Sequence, residues 1–252
     1  MNQELAAIYF IWKRELIRFF RSKSRVIGSL GMPFFFLAIV GNGLNNVVDL
    51  PNLQSGYMGF IVPGILGMVL LSGSLFSGII VIMDRQFGFL KETLIAPVSR
   101  LSIVLGKALG GATTAVFQGI LMLFVAMLLG VNIEPVVLPS VIALMFLISL
   151  AFVSLGTAFA SAMEDMHGFQ LIMNFLIMPM FFLSGALFPL DSAPEIIRSI
   201  SYLNPLTYGV ESLRFFLVGY SVIPIELSLG ILTLFLIITL FLSVYLFNKI
   251  EE

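Results

Sequence analysis

Six stretches of the chain, 26–48, 50–83, 108–133, 135–163, 168–190 and 227–248, contain no Asp, Glu, Lys, Arg or His. No other feature restricts the fold as tightly. A hydrocarbon core about 30 Å thick takes roughly 20 helical residues to cross, and each run can hold one such helix. Composition agrees: 59% of the residues are hydrophobic and 11% charged, against roughly 25% charged in an ordinary soluble domain. A seventh apolar region, 199–225, is interrupted by Glu211 and Arg214. Neither of its pieces is long enough to span, and it is expected to be surface or partly inserted structure.

The expected fold is therefore an all-α membrane protein of one domain, 1–252, with six transmembrane helices at about 26–44, 57–83, 107–130, 137–162, 169–187 and 226–247. The first span contains Gly28, Gly31, Pro33, Gly41 and Gly43; small residues let helices approach closely, and Pro bends a membrane helix. The second is longer than the hydrocarbon requires and should tilt or project beyond it. The segment 45–56 is an Asn-rich external loop. Before the first span, residues 3–22 have helical periodicity, with Leu5, Ile8, Tyr9, Trp12, Leu16, Phe19 and Phe20 on one face and Arg14, Arg18 and Arg21 opposite. That pattern suits an in-plane interfacial helix whose basic face meets anionic headgroups. The alternative is an amphipathic helix packed on another part of the protein.

Between spans five and six, 189–225 reads as an external helical hairpin. Pro194 suits the first turn of one short helix, and Asn204-Pro205 reads as cap and first-turn proline of the next. Glu211 and Arg214, three apart, can neutralise each other near lipid.

Basic residues set the orientation. Lys13, Arg14, Arg18, Arg21, Lys23 and Arg25 precede the first span, Arg85, Lys91, Arg100 and Lys107 lie in or at the end of the second-to-third connection, and Lys249 follows the last span. With six alternating spans these share one side, leaving Arg198 and Arg214 on the other. The positive-inside rule then puts both termini and the 84–106 loop in the cytoplasm. Net charge is −1, which gives no sign of a nucleic-acid partner. The charge-interrupted N-terminus does not read as a cleavable signal.

Several chemistries are not provided for. The chain has no cysteine, so neither disulfides nor thiolate metal sites arise. Gly106-Lys107 is followed by Ala108, and Leu101 stands where a phosphate loop needs its first Gly. His167, beside Glu164 and Asp165, reads as part of a short polar turn, and no metal is assigned. No ionisable residue lies in the middle of a span, which argues against an ion-coupled secondary carrier. The polar residues within spans include Thr113, Thr114, Gln118, Ser154, Thr157, Asn174 and Ser184. Helix-to-helix hydrogen bonding is their ordinary use; Gln118, Asn174 and Ser184 are the candidates for a substrate path.

The loop DRQFGFLKETLIAPVSRLSIVLGK, residues 84–107, concentrates charge between two uncharged spans. A helix from Asp84 to about Ile95 would carry Phe87, Leu90 and Leu94 as an apolar stripe and leave Phe89 on the polar side. Pro97 ends it, and Ser99 is placed to cap the next segment. Either this is a knob held against a partner, or it is a plain connection with Phe89 packed on the N-terminal helix.

At these residues the sequence resembles the cytoplasmic coupling segment of ATP-binding-cassette export permeases, the branch typified by daunorubicin-resistance permeases. The stretch FFLSGALFPLDSAPEIIRSISYLNPLTYGVESLR is similar to the same family's fifth span and external hairpin. The resemblance implies a non-enzymatic half-transporter in the cytoplasmic membrane of a prokaryote. Two permeases, as a homodimer, would work with two separate ATPase subunits that bind ATP and Mg, this chain binding neither. It further implies that the coupling loop, with Asp84, Arg85, Phe87, Gly88, Phe89, Leu90, Lys91, Glu92 and Pro97, docks on the ATPase. Many relatives have a small polar residue where this chain has Phe89. The hairpin, with Asn204, Pro205 and Tyr208, would gate the exit, and the substrate would be a hydrophobic or amphipathic drug, lipid or polysaccharide.

Overall fold

The computed structural model describes residues 3–45 and 56–250, and no strand occurs among them. Of the expected 45–56 loop, residues 46–55 lie outside the described residues, as does the side chain of Leu94. The elements run α1 (Gln3–Arg21), α2 (Lys23–Phe35), a π-helical stretch (Phe36–Gly41), α3 (Asn42–Asn45), α4 (Gly56–Ser77), α5 (Ile79–Gln86), α6 (Phe89–Ile95), α7 (Arg100–Leu128), α8 (Leu138–Ala162), α9 (Met166–Phe182), α10 (Glu195–Leu203), α11 (Pro205–Val218) and α12 (Ile225–Asn248).

Among the described residues, four helical stretches are long and apolar enough to cross a membrane: Gly56–Gln86, Arg100–Leu128, Pro135–Ala162 and Ile225–Asn248. The first and fifth expected spans correspond to shorter apolar helices, Gly28–Leu44 and Met166–Phe182. Pro33 lies inside α2, and the backbone ladder widens to π geometry directly after it, as a residue without an N–H and with a bulky ring invites. The 17 residues of α9 reach about 26 Å at the helical rise, less than a full crossing. The sequence expectation continued this helix to 187, but the chain leaves it at Leu183 and turns through Gly185, whose φ is +71°. The carbonyls there are taken up laterally, Leu183 O by the Thr207 hydroxyl at 3.4 Å and Gly185 O by Arg214 Nη2 at 2.7 Å.

The bundle is built around α4, which is apolar on every side and buried almost continuously from Tyr57 to Leu71, as befits a helix with neighbours all round. It packs against α7, α8, α9 and α11. Its approach to α8 is backbone to backbone: a Cβ on Gly78 would lie 2.4 Å from Gly156 O, and one on Gly156 2.5 Å from Leu75 O. Helix α12 lies along α8 and leaves Leu234, Ile237, Ile238 and Phe241 exposed on its other face.

The α10–α11 hairpin forms, with Pro194 as the N-cap of α10 rather than in its first turn. Asn204 Oδ1 accepts from Leu206 N at 3.1 Å, and Pro205 begins α11. Of the two expectations for 199–225, surface or partly inserted, the surface position is corrected for α11, which is buried from Leu206 to Arg214. Glu211 and Arg214 do pair, but inside the protein, each with 0% of its side chain accessible. The guanidinium also lies 4.0 Å from the centroid of Phe60, and Glu211 Oε2 accepts from Val222 N at 2.6 Å. Mutual pairing, with Arg214 also donating to Gly185 O, is what lets two charges stay in such a place, although Arg214 Nε has no hydrogen-bond partner there.

Helix α1 has the expected limits but a different orientation. The stripe pressed on α7 is Ile8, Ile11, Trp12, Glu15 and Phe19, whereas Leu5 and Tyr9 are exposed and Phe20, half exposed, still meets Phe117 of α7 with its ring. The reason lies in α7, where a Cβ on Gly106 would lie 2.8 Å from Ile11 and one on Gly110 2.6 Å from Glu15. Trp12 Nε1 donates to the Thr113 hydroxyl at 3.1 Å, and Phe19 meets Phe117 edge-on.

Candidate functional site

Where α5 ends, four charged groups converge. Asp84 is buried and accepts from Arg14 Nη2 at 2.9 Å, from Arg18 Nη2 at 3.1 Å and from Lys107 Nζ. One carboxylate thereby ties together α1, α5 and α7. The next residue, Arg85, donates from Nη2 to Ser161 O at 3.0 Å and from Nη1 to Met163 O at 3.3 Å, and Gln86 Nε2 donates to Glu164 O at 3.0 Å. These contacts occupy carbonyls at the end of α8 that its own ladder leaves free. Asp84 and Arg85, expected on a docking surface, are instead occupied inside this chain.

Beyond them the expected single helix from Asp84 to Ile95 is broken. Gly88 has φ +81°, a left-handed conformation that glycine adopts without steric cost. It ends α5 at Gln86 and starts α6 at Phe89 in a new direction. Phe87 consequently leaves the expected apolar stripe and is 67% exposed, while Leu90 is buried. Phe89 is 49% exposed, and the Arg14 guanidinium lies 5.2 Å over its ring. It therefore touches the N-terminal helix while keeping half its surface open. Lys91, Glu92 and Pro97 are exposed. Ser99 caps α7 by accepting from Ser102 N at 3.2 Å, and it is itself held by Glu4, whose carboxylate accepts the Ser99 N–H at 3.0 Å and hydroxyl at 2.9 Å. The Ser102 and Ser99 hydroxyls and the Ser99 N–H keep the Glu4 carboxyl below its ordinary range. The outcome is a short projection, Phe87 to Pro97, on a base bolted to α1, α7 and α8.

The opposite connection at this end is capped by Asp165, whose oxygens accept from His167 N at 3.1 Å and Gly168 N at 2.6 Å. The Gly168 and His167 N–H groups hold its carboxyl below the usual aspartate range. Arg100 closes a further link, with Nη1 donating to Asn248 O at 2.7 Å at the end of α12.

A cavity of about 510 Å³ lies among α1, α2, α4, α5, α7 and α9. Of the expected path residues, Gln118 and Asn174 line it, and Gln118 Nε2 donates to Ser29 Oγ at 2.7 Å. Ser184 does not line it; its hydroxyl is buried and donates to Phe181 O at 2.7 Å. Asn204, Pro205 and Tyr208 are likewise away from the cavity. Asn204 Nδ2 donates to Met180 O at 2.6 Å and the Tyr208 hydroxyl to Tyr202 O at 2.7 Å, which clips the hairpin to α9 and to itself. Sequence reasoning missed Glu15, which lines the cavity from α1. Its position among the inward-facing residues of α1, three after Trp12 and four before Phe19, was the available signal.

A family model described as ABC-2 type transporter matches residues 6–218, ending at the last residue of α11. The chain is 31% identical over 213 residues to a putative transport permease ycf38 of Cyanophora paradoxa, covering 82% of this chain and 73% of that protein. It is 27% identical over 242 residues to nodulation protein J of Rhizobium leguminosarum bv. trifolii, covering 95% and 92%. Over 244 residues it is 27% identical to the inner membrane transport permease YadH of Escherichia coli K12, covering 94% and 93%.

Proposed function

Since the chain belongs to the ABC-2 type transporter family, we propose that it is the membrane permease of an ATP-driven exporter, powered by a separate ATPase docked on the Phe87–Pro97 projection. The protein is a membrane-embedded transport permease by family; the direction, the drive and the substrate are the proposal. Two copies, with two ATPase subunits that hold ATP and Mg, would form the working unit. The substrate is read as hydrophobic or amphipathic, a drug, lipid or polysaccharide, and the membrane as the cytoplasmic membrane of a prokaryote.

The observation that carries the reading is the projection itself. Phe87, Phe89 and Ile95 are exposed beside the exposed charges of Lys91 and Glu92, an aromatic centre with a polar rim of the kind protein interfaces use. The base beneath it is fixed through Asp84 and Arg85 to three helices of the bundle, so displacement of the projection is transmitted rather than absorbed. Gln118 and Asn174, which both line the cavity, are the proposed contacts on the substrate's route.

Phe87→Ala combined with Phe89→Ala should weaken association with the cognate ATPase at least about tenfold, as truncation of paired aromatic anchors does, and reduce substrate-stimulated hydrolysis while the permease still inserts. Undiminished ATP-driven export from the double variant would overturn the proposal. A second reading, an ion-coupled carrier, draws support from Glu15, an acid at the cavity. Under that reading the permease alone, without nucleotide, would accumulate substrate under a proton gradient.

A further inference from the structure

Docking one side of α1 on α7 leaves a basic groove open on the other. Phe10, Lys13, Arg14, Ile17, Arg18 and Arg21 line it, and its cations are of two kinds. Arg14 and Arg18 are turned to Asp84, and the second terminal nitrogen of Arg18, Nη1, is itself buried. Lys13 and Arg21 are exposed. The ion pairs among the described residues engage Arg14, Arg18, Lys107 and Arg214, so neither Lys13 nor Arg21 has a carboxylate. Lys13, Ile17 and Arg21 follow one another four apart and share one side of the helix. Two long flexible side chains can therefore close over Ile17 on a single anion.

The level of the groove follows from the chain around it. Arg21 ends α1, and the uncharged stretch 26–48 begins shortly after it, so Arg21 stands where hydrocarbon gives way to headgroups. Tyr9, a residue type that settles at that boundary, is exposed on α1, as is Phe20; Phe10 and Ile17 are each more than half exposed. Free cations interleaved with open apolar side chains at this height suit a molecule with an anionic head and acyl tails.

We infer that Lys13 and Arg21 hold the headgroup phosphate of an anionic phospholipid from the leaflet in which α1 lies, with the upper acyl chains against Ile17 and Phe20. A zwitterionic headgroup offers the same phosphate but brings its own ammonium toward Arg14 and Arg18, so the net-negative lipid is preferred. Recognition thereby shifts from the face at which the helical pattern pointed: Arg14 and Arg18 serve the fold, and Lys13, outside that expected set, serves the lipid. Neither an ATPase nor a substrate takes part, so the site stands apart from the proposed export function.

The single tryptophan of the chain, Trp12 on α1, reports the site without a label. The purified permease is placed in phosphatidylcholine nanodiscs that all contain the same minority of phosphatidylglycerol. In one set the phosphatidylglycerol carries bromine near the top of an acyl chain; in the other an equal amount of the phosphatidylcholine does. Quenching of Trp12 should show a preference for phosphatidylglycerol of at least about fivefold, as two cations close to an anionic headgroup exert. Lys13→Gln with Arg21→Gln should bring the ratio to about one. Lys91→Gln with Lys249→Gln, which removes the same charge elsewhere, should leave it near the wild-type value. Equal quenching by the two lipids in the wild-type protein overturns the inference even if no variant folds, and is the outcome expected if the groove receives an acidic protein surface instead. So does a preference that survives in the Lys13 and Arg21 variant, or one that the control pair lowers equally, since diffuse attraction to all the basic residues would then suffice. Relief of the quenching by millimolar glycerol 3-phosphate would identify a soluble phosphate ligand and would equally overturn the lipid site.

Discussion

At the scale of single residues, Asp84 has the heaviest duty. Its side chain is 3% exposed, and that of Lys107, one of its three partners, 6%. Asp84→Asn leaves Lys107 buried without a counter-charge, a change that costs about 3–5 kcal/mol when one member of a buried pair is removed. A clearly lower melting temperature of the purified protein is expected, with partial recovery when Lys107→Met is added; an unchanged melting curve would show that the cluster contributes nothing. Asp165 acts more locally. Its carboxyl is held low by the Gly168 and His167 N–H groups, so its cap on α9 is fully present above the ordinary aspartate pKa of about 3.9. That stabilisation disappears as pH falls through the lower folded-state value. The melting-temperature gap between wild type and Asp165→Asn should therefore be widest near neutral pH and close as the medium is acidified below about pH 4.

At the scale of elements, the contact between α4 and α8 permits no side chain at Gly78 or Gly156. Gly156→Ala must push against the Leu75 backbone, 2.5 Å from the new atom, and overpacking of this kind costs about 1–3 kcal/mol. Reduced yield of monodisperse protein after detergent extraction would register it, and extraction like the wild type would contradict it. The helices themselves were legible because a run of twenty uncharged residues has few alternatives in lipid. The caps at Ser99 and Asn204–Pro205 were legible because they depend on side chains within three positions of their partners. Three features were not. Both sides of α1 carry large apolar residues, so its pattern alone could not show which side packs; Gly106 and Gly110, some hundred residues away, decide that. Glu211 and Arg214 made α11 look like surface, although each supplies the other's counter-charge in the interior. The break at Gly88 was overlooked because Phe87, Leu90 and Leu94 align on an ideal helix, while the glycine among them was the stronger signal. For the candidate site, Gln118 and Asn174 could be picked out as polar residues in apolar helices. For Glu15 the only sign was its place between Trp12 and Phe19 on α1, and whether that face turns inward depends on what α7 places beside it.

At the scale of the whole molecule, the proposed orientation puts both termini and the Phe87–Pro97 projection on the cytoplasmic side. The chain has no native cysteine, so single thiols report topology without interference. Lys91→Cys should react with an impermeant maleimide only from the cytoplasmic face and Ser192→Cys only from the outer face; labelling of both from one side would reverse or dismantle the proposed orientation. The charge cluster also has a bearing on how the protein is made. Arg14 and Arg18 emerge from the ribosome early, Asp84 much later, and Lys107 later still, roughly ninety residues after Arg14. At about 5–20 residues per second, α1 waits on the order of 5–20 s for the groups that will hold it. Until the third span is threaded into the bilayer, its arginines have only lipid phosphate and water to face, so the locking of α1 records that the first half of the chain has been inserted in the right order.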